Sequence, residues 1–235
     1  MEEIILLNAK RLILDEKYQE AKTLLLPLAN NGDSSAQLIL GYLYYGGDED
    51  TTSDESEYWL SKSSANGNPE AMYYIATTNF EEGTSSNNAE QESSLRQVET
   101  AAKLGSAEAQ RSLAVSYAHG EVVEQCDIKT MYWDEQAASQ GLAESQNDLA
   151  LMLLHGYVNK TPNIDKAIYW YEKSAAHDFN VPYAQWAAEQ LAAIYEGQYS
   201  EKHIDQIKQN YWAQRATYLD TLDFRPHPDW FYNDL

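Results

Sequence analysis

One short string is spelled three times along this chain: "SSAQLILGYLYYGG" at 34–47, "AEAQRSLAVSYAHG" at 107–120 and "AESQNDLALMLLHG" at 143–156. Aligned on its small-Gln step, with a fourth, weaker copy included, the anchors Ala36-Gln37, Ala71-Met72, Ala109-Gln110 and Ser145-Gln146 stand 35, 38 and 36 residues apart. Four residues after each anchor comes an aliphatic side chain (Leu40, Ile75, Leu113, Leu149), and the next residue is small (Gly41, Ala76, Ala114, Ala150). A glycine closes each segment at Gly47, Gly83, Gly120 or Gly156. A period of this size constrains the fold strongly. One such unit is too small to hide its own apolar face, so neighbouring units must bury it by stacking.

Each closing glycine is followed by a polar stretch and a second apolar segment. Three of these carry a Trp just ahead of small residues: "YWLSKSSANG" (Trp59), "YWDEQAASQG" (Trp133) and "YWYEKSAAHD" (Trp170). Apolar spacing of three and four in "AIYWYEKSAA" indicates helix, and no segment keeps a period-two alternation. Gly67, Gly105 and Gly141 stand where second helices need a left-handed end. Each unit therefore reads helix, turn, helix, turn. Gly41 falls in mid-helix, where glycine costs about 1 kcal/mol relative to alanine, so a neighbouring helix is expected to approach closely there.

A fifth, less regular unit lies in "YAQWAAEQLAAIYEG", anchored at Ala187 with an insertion near Pro182. The N-terminus reads as a degenerate hairpin broken near Asp15–Lys17, with Pro27 expected to kink or shorten its second helix. The expected organisation is one repeat domain over 1–235. It comprises a degenerate hairpin (1–30), repeats at 31–66, 67–104, 105–140 and 141–179, an irregular last repeat (180–222) and an aromatic tail (223–235). The tail is expected to cap the exposed end of the last helix pair through Trp230, Phe231 and Tyr232, with partner contact as the alternative.

The pattern A-Q-x-x-L-[GA]-x-x-[YL]-x-x-G followed by K-A-x-x-W-x-x-x-A resembles the Sel-one-like repeat family, relatives of the tetratricopeptide repeats. Lys166-Ala167-x-x-Trp170 and Lys129-x-x-x-Trp133 match it best, and the resemblance spans about residues 29 to 197. Departures are Glu55 in place of the family's Lys, a unit over 69–101 without Trp in its second helix, and "GGDEDTTSDESE" in place of the usual short turn. The resemblance implies an all-α fold: an α-solenoid of about five to six stacked helical hairpins in a right-handed superhelix. It also implies a non-enzymatic, protein-binding role on a concave face lined by the first helix of each unit. Counted from the Leu-small pair, that face takes Leu38, Tyr42, Tyr45, Tyr73, Phe80 and Arg111, and further along Val115, Asn147 and Leu151.

Charge bears on the partner. The formal net charge is −21, and residues 31–100 carry thirteen Asp and Glu against only Lys62 and Arg96. Such a field repels phosphate backbones and anionic lipid surfaces and attracts basic proteins. Nucleic acid and membrane are thereby disfavoured as partners. The loop "DEDTTSDESE" is read as either solvated or docking a basic partner through Asp48, Glu49, Asp50, Asp54 and Glu55, with Glu57 beside them. Its spacing fails the EF-hand pattern, since Ser53 and Trp59 fall where glycine and glutamate are required.

No catalytic constellation stands out. All eleven glycines are used at helix ends, turns or the Gly41 seam, and no phosphate-loop, dinucleotide or nucleophile-elbow string occurs. His119 and His155 are equivalent in adjacent units, but one helix spacing of about 8–10 Å is too long for a shared metal ion bound at about 2 Å. His203 and Asp205 are read as solvated, and Cys126 has no adjacent positive charge to activate it. No cofactor, metal or small-molecule substrate is expected. One cysteine, no apolar run long enough to span a bilayer and an acidic N-terminus point to the cytoplasm. The sequence thus suggests an acidic groove that sequesters a basic protein, as a bacterial immunity protein does its cognate toxin. The alternatives are a general adaptor or scaffold and, from another class, a metal-assisted enzyme.

Overall fold

The computed structural model describes residues 2–46, 53–81, 88–120, 123–158, 161–178, 181–222 and 231, with backbone alone at 45–46, 53, 78–81 and 88–91. Twelve α-helices follow one another among these residues, and no strand occurs among them. They are α1 (Glu2–Leu14), α2 (Tyr18–Asn30), α3 (Ser34–Gly46), α4 (Ser53–Ala65), α5 (Pro69–Glu81) and α6 (Asn88–Lys103). Then come α7 (Ala107–His119), α8 (Asp127–Ser139), α9 (Ala143–His155), α10 (Ile164–Ala175), α11 (Val181–Glu196) and α12 (Gln206–Leu219). A 3-10 turn, Glu201–His203, precedes the last. This is an all-α repeat fold. None of the described helices is long and apolar enough to cross a membrane. The chain forms two compact units, Met1–Ser112 and Leu113–Asn233, with the division falling inside α7.

In the first unit each helix from α1 to α6 packs on the next. The Ala-Gln anchor has a structural cause. The anchor alanines Ala36, Ala71 and Ala109 are fully buried, and the glutamine beside them reaches back to the preceding helix. Gln37 Nε2 donates to the Ala29 carbonyl at 2.8 Å, and Gln110 Nε2 donates to the Ala102 carbonyl at 3.0 Å. Each bond satisfies a carbonyl in the last turn of a helix, where no intrahelical partner exists. Met72, at the same position, cannot make it. The small residue five positions after each anchor alanine serves the hairpin itself. Ser56 Oγ donates to the Gly41 carbonyl (2.9 Å), and Ser94 Oγ donates to the equivalent Ala76 carbonyl (3.0 Å). A Cβ on Gly41 would lie 2.7 Å from Leu60 Cγ and 3.2 Å from Leu60 N, which is the close approach that the sequence called for.

Pro27 does not end its helix. α2 continues to Asn30, because Leu25 and Ala29 on its inner face are fully buried while Pro27 points outward. That burial outweighs one absent N–H.

In the second unit α8 to α12 pack in succession, and α9 also meets α11. Its core holds Leu149, Tyr171, Leu191, Ile194 and Leu219, flanked by the half-buried Trp170, Trp186 and Trp212. The anchor bond recurs, with Gln146 Nε2 donating to the Ala138 carbonyl at 3.1 Å. Ser145 replaces the usual anchor alanine, and its hydroxyl donates to the buried Asp134 Oδ1 of α8 at 2.9 Å. Adjacent units are tied by α9 to α11: Asn147 Nδ2 donates to the Tyr183 carbonyl (2.9 Å), and the Tyr183 hydroxyl donates to Glu144. Of the tail, Phe231 is fully buried, in keeping with a cap, while Trp230 and Tyr232 lie outside the described residues.

Candidate protein-binding surface

The expected groove residues divide into three groups. Tyr42 in α3 and Tyr73 in α5 are half-buried, and the Tyr73 ring sits 5.8 Å from that of Tyr74. Arg111 in α7 is half-buried as well. Asp54 and Glu55 occupy the exposed first turn of α4, where negative charge complements the helix N-terminus. Asp48, Glu49 and Asp50 lie outside the described residues, as do the side chains of Tyr45 and Phe80.

Two residues need correction. Leu38 is only 4% exposed, so its side chain belongs to the core and not to a surface a partner can reach. Asn147 is 3% exposed and is spent on the Tyr183 carbonyl. Both positions were placed by counting around a helix, which gives the face but not how deeply the next helix covers it.

The reading of His203 as solvated is also corrected. Its side chain is 11% exposed, and its Nε2 lies 3.0 Å from Asp165 Oδ1 at the start of α10. That contact, then Lys202, holds the Asp165 carboxyl below its usual range. Asp205 caps α12 by accepting from Ile207 N and Lys208 N. Cys126 lies just before α8, and its backbone N–H donates to the Tyr117 carbonyl. No group of three or more metal-binding side chains occurs among the described residues.

The second helices carry a feature that the sequence displayed as a repeated Tyr-Trp dipeptide. Tyr58–Trp59, Tyr132–Trp133, Tyr169–Trp170 and Tyr211–Trp212 each pack edge to face, with ring centroids 5.0, 4.9, 5.0 and 4.8 Å apart. In all four the tyrosine is exposed and the tryptophan turns inward, so the tryptophan anchors a tyrosine held ready at the surface. In the second unit a groove of about 430 Å³ runs between α11 and α12. Alanines including Ala192 and Ala213 floor it, and Glu189, Glu196 and Asp220 line it with glutamines but no Lys or Arg. A wall of that composition suits cationic side chains.

Comparison with known proteins gives a consistent result. The Sel1 repeat model matches residues 34–68, 107–142 and 143–179, skipping the unit with Met72 at its anchor. A comparison with curated proteins finds no match. A Sel1 repeat protein from Oxalobacter formigenes superposes with a TM-score of 0.66 at 22% identity, over 91% of this chain and 87% of that one. One immunity protein from Pseudomonas aeruginosa gives a TM-score of 0.60 at 19% identity, over 90% of this chain and 80% of its own. A second gives 0.55 at 18% identity, over 92% and 80%. With three matched repeats and the same fold as a solved Sel1 repeat structure, the chain is a Sel1 repeat protein.

Proposed function

We propose that this protein binds a basic protein partner through acidic and aromatic surface, and that it acts as a bacterial immunity protein neutralising a cognate toxin. The observation that carries this reading is the fold shared over nine-tenths of the chain with proteins named as immunity proteins. Charge supports it. At −21 the chain favours fast, salt-sensitive association with a positively charged surface. A toxin that grips nucleic acid presents such a surface, and exposed tyrosines held by buried tryptophans supply the aromatic contacts that interface centres favour. On this reading the protein is not an enzyme, and inhibition comes from occupying the toxin.

Co-expression tests it. The product of an adjacent reading frame with a toxic C-terminal domain should arrest growth alone and permit growth with this chain. The purified pair should form a complex that weakens as sodium chloride rises. A complex that leaves toxicity intact would indicate an adaptor, and no complex even at low salt would remove the reading.

A further inference from the structure

His155 has company that its equivalent His119 gave no reason to expect. It ends α9, and its ring stacks on Tyr157 with centroids 5.6 Å apart and planes at 17°. It also meets the Tyr199 ring edge to face at 6.0 Å. Tyr157 is 55% exposed and Tyr199 37%, so both rings present surface to solvent. Below them lies Tyr171 of α10, which is wholly buried, and its hydroxyl has no hydrogen-bond partner. Burial raises the pKa of that hydroxyl, and Tyr199, Asp148 and Tyr157 act on it in the same direction. Electrostatic influence of this kind falls with distance, so these three groups face the buried hydroxyl. All of them belong to the second unit.

The chemistry selects a ligand. Ring faces attract a cation, a carboxylate attracts it further, and the unpaired phenol oxygen needs a donor. A primary ammonium brings three donors and a guanidinium five, whereas an anion would be repelled by Asp148 and by the net charge of the chain. The molecule already uses tyrosine this way. Lys22 lies 4.4 Å from the Tyr44 ring centre, Lys129 lies 4.5 Å from that of Tyr117, and Lys208 lies 4.8 Å from that of Tyr195. Among the described residues no Lys or Arg stands over Tyr157 or Tyr199.

We propose that His155, Tyr157 and Tyr199, with Asp148 and the Tyr171 hydroxyl beneath them, form a socket for one Lys or Arg side chain of a protein partner. The socket rests on the protein-binding reading above and adds to it a site in the second unit, away from the acidic loop.

The test uses n-butylammonium as the lysine head group and n-butanol as its uncharged counterpart, at constant ionic strength set with sodium chloride. Ring resonances of Tyr157, Tyr199 and His155 are followed by NMR in the full chain. Saturable shifts confined to these rings, produced by the ammonium and not by the alcohol, are expected. Tyr157→Leu with Tyr199→Leu should weaken binding at least tenfold, and Asp148→Asn several-fold, with thermal unfolding unchanged. If a variant unfolds, the wild-type titration decides alone. Equal shifts with n-butanol, equal shifts at exposed Tyr58 and Tyr132, or no saturation would each overturn the proposal. Because the titration needs no partner, its failure removes the socket and leaves the co-expression result to judge protein binding.

Discussion

Gln146 and Ala138 are joined by a hydrogen bond that recurs in two other repeats. The Gln146 side-chain nitrogen donates to the Ala138 carbonyl at 3.1 Å, just as Gln37 does to Ala29 and Gln110 to Ala102. In each case donor and acceptor are eight residues apart, across the turn between one repeat's second helix and the next repeat's first. The bond fixes the angle at which one repeat leaves the other, and this is why the sequence repeats a glutamine where any helix former would serve.

Replacing Gln146 with Met, the residue found at the equivalent position 72, should therefore destabilise the second unit by about 1–3 kcal/mol, since a buried carbonyl loses its donor. Urea unfolding followed by circular dichroism measures the loss. An unchanged midpoint would mean that water or a shifted turn replaces the amide.

Gly41→Ala should destabilise the first unit by about 1–3 kcal/mol through overpacking, even though alanine is the better helix former. The new methyl would meet both the side chain and the backbone nitrogen of Leu60. Combined with Leu60→Ala, the cost of Gly41→Ala should shrink, and a double-mutant cycle showing full additivity would contradict the contact.

Gly156 differs from Gly32, although both have positive φ (69° and 94°). A Cβ on Gly32 meets nothing within 4 Å, whereas on Gly156 it would lie 2.6 Å from the backbone carbon of Thr161. Gly32→Ala should cost about 1–2 kcal/mol, the ordinary left-handed penalty for a side chain. Gly156→Ala should cost clearly more and should disturb Tyr157 next to it. Equal melting temperatures for the two variants would refute the distinction.

Glu70 in α5 accepts from Ser106 Oγ and from Ala107 N, both at 2.8 Å, and so links its repeat to the next. Burial nevertheless raises its carboxyl above the ordinary 4.5, with the bonds from Ser106, Ala107 and Glu108 opposing the rise. A raised carboxyl binds its proton more tightly in the folded chain than in the unfolded one. Its contribution to stability is therefore full below the unfolded value and is lost as pH rises through the folded value. Relative to Glu70→Gln, the wild type should be more stable near pH 4 than near pH 7. Urea midpoints at the two pH values check this, and a difference that does not change with pH would count against the shift.

Ser145→Ala should cost about 1–3 kcal/mol, although it restores the alanine found at the other anchors, because the buried Asp134 carboxylate loses a donor. Adding Asp134→Ala should recover part of the loss. The sequence shows Ser145 only as a deviation from the pattern; its partner is eleven residues back on another helix.

The sequence by itself determined the class of fold and the repeat pitch. Side-chain spacing reports helix directly, and residues that recur at one interval must meet equivalent neighbours, so the Gly41 seam and the hairpin order followed from local pattern alone. Only the tertiary structure decided depth and company. Leu38 and Tyr42 are one helical turn apart, yet the first is buried and the second half open. His155, Tyr157 and Tyr199 come together from two repeats because α11 packs against α9. Burial and long-range pairing depend on how closely successive helices approach one another, a quantity set by the volumes of all the side chains between them and written at no single position.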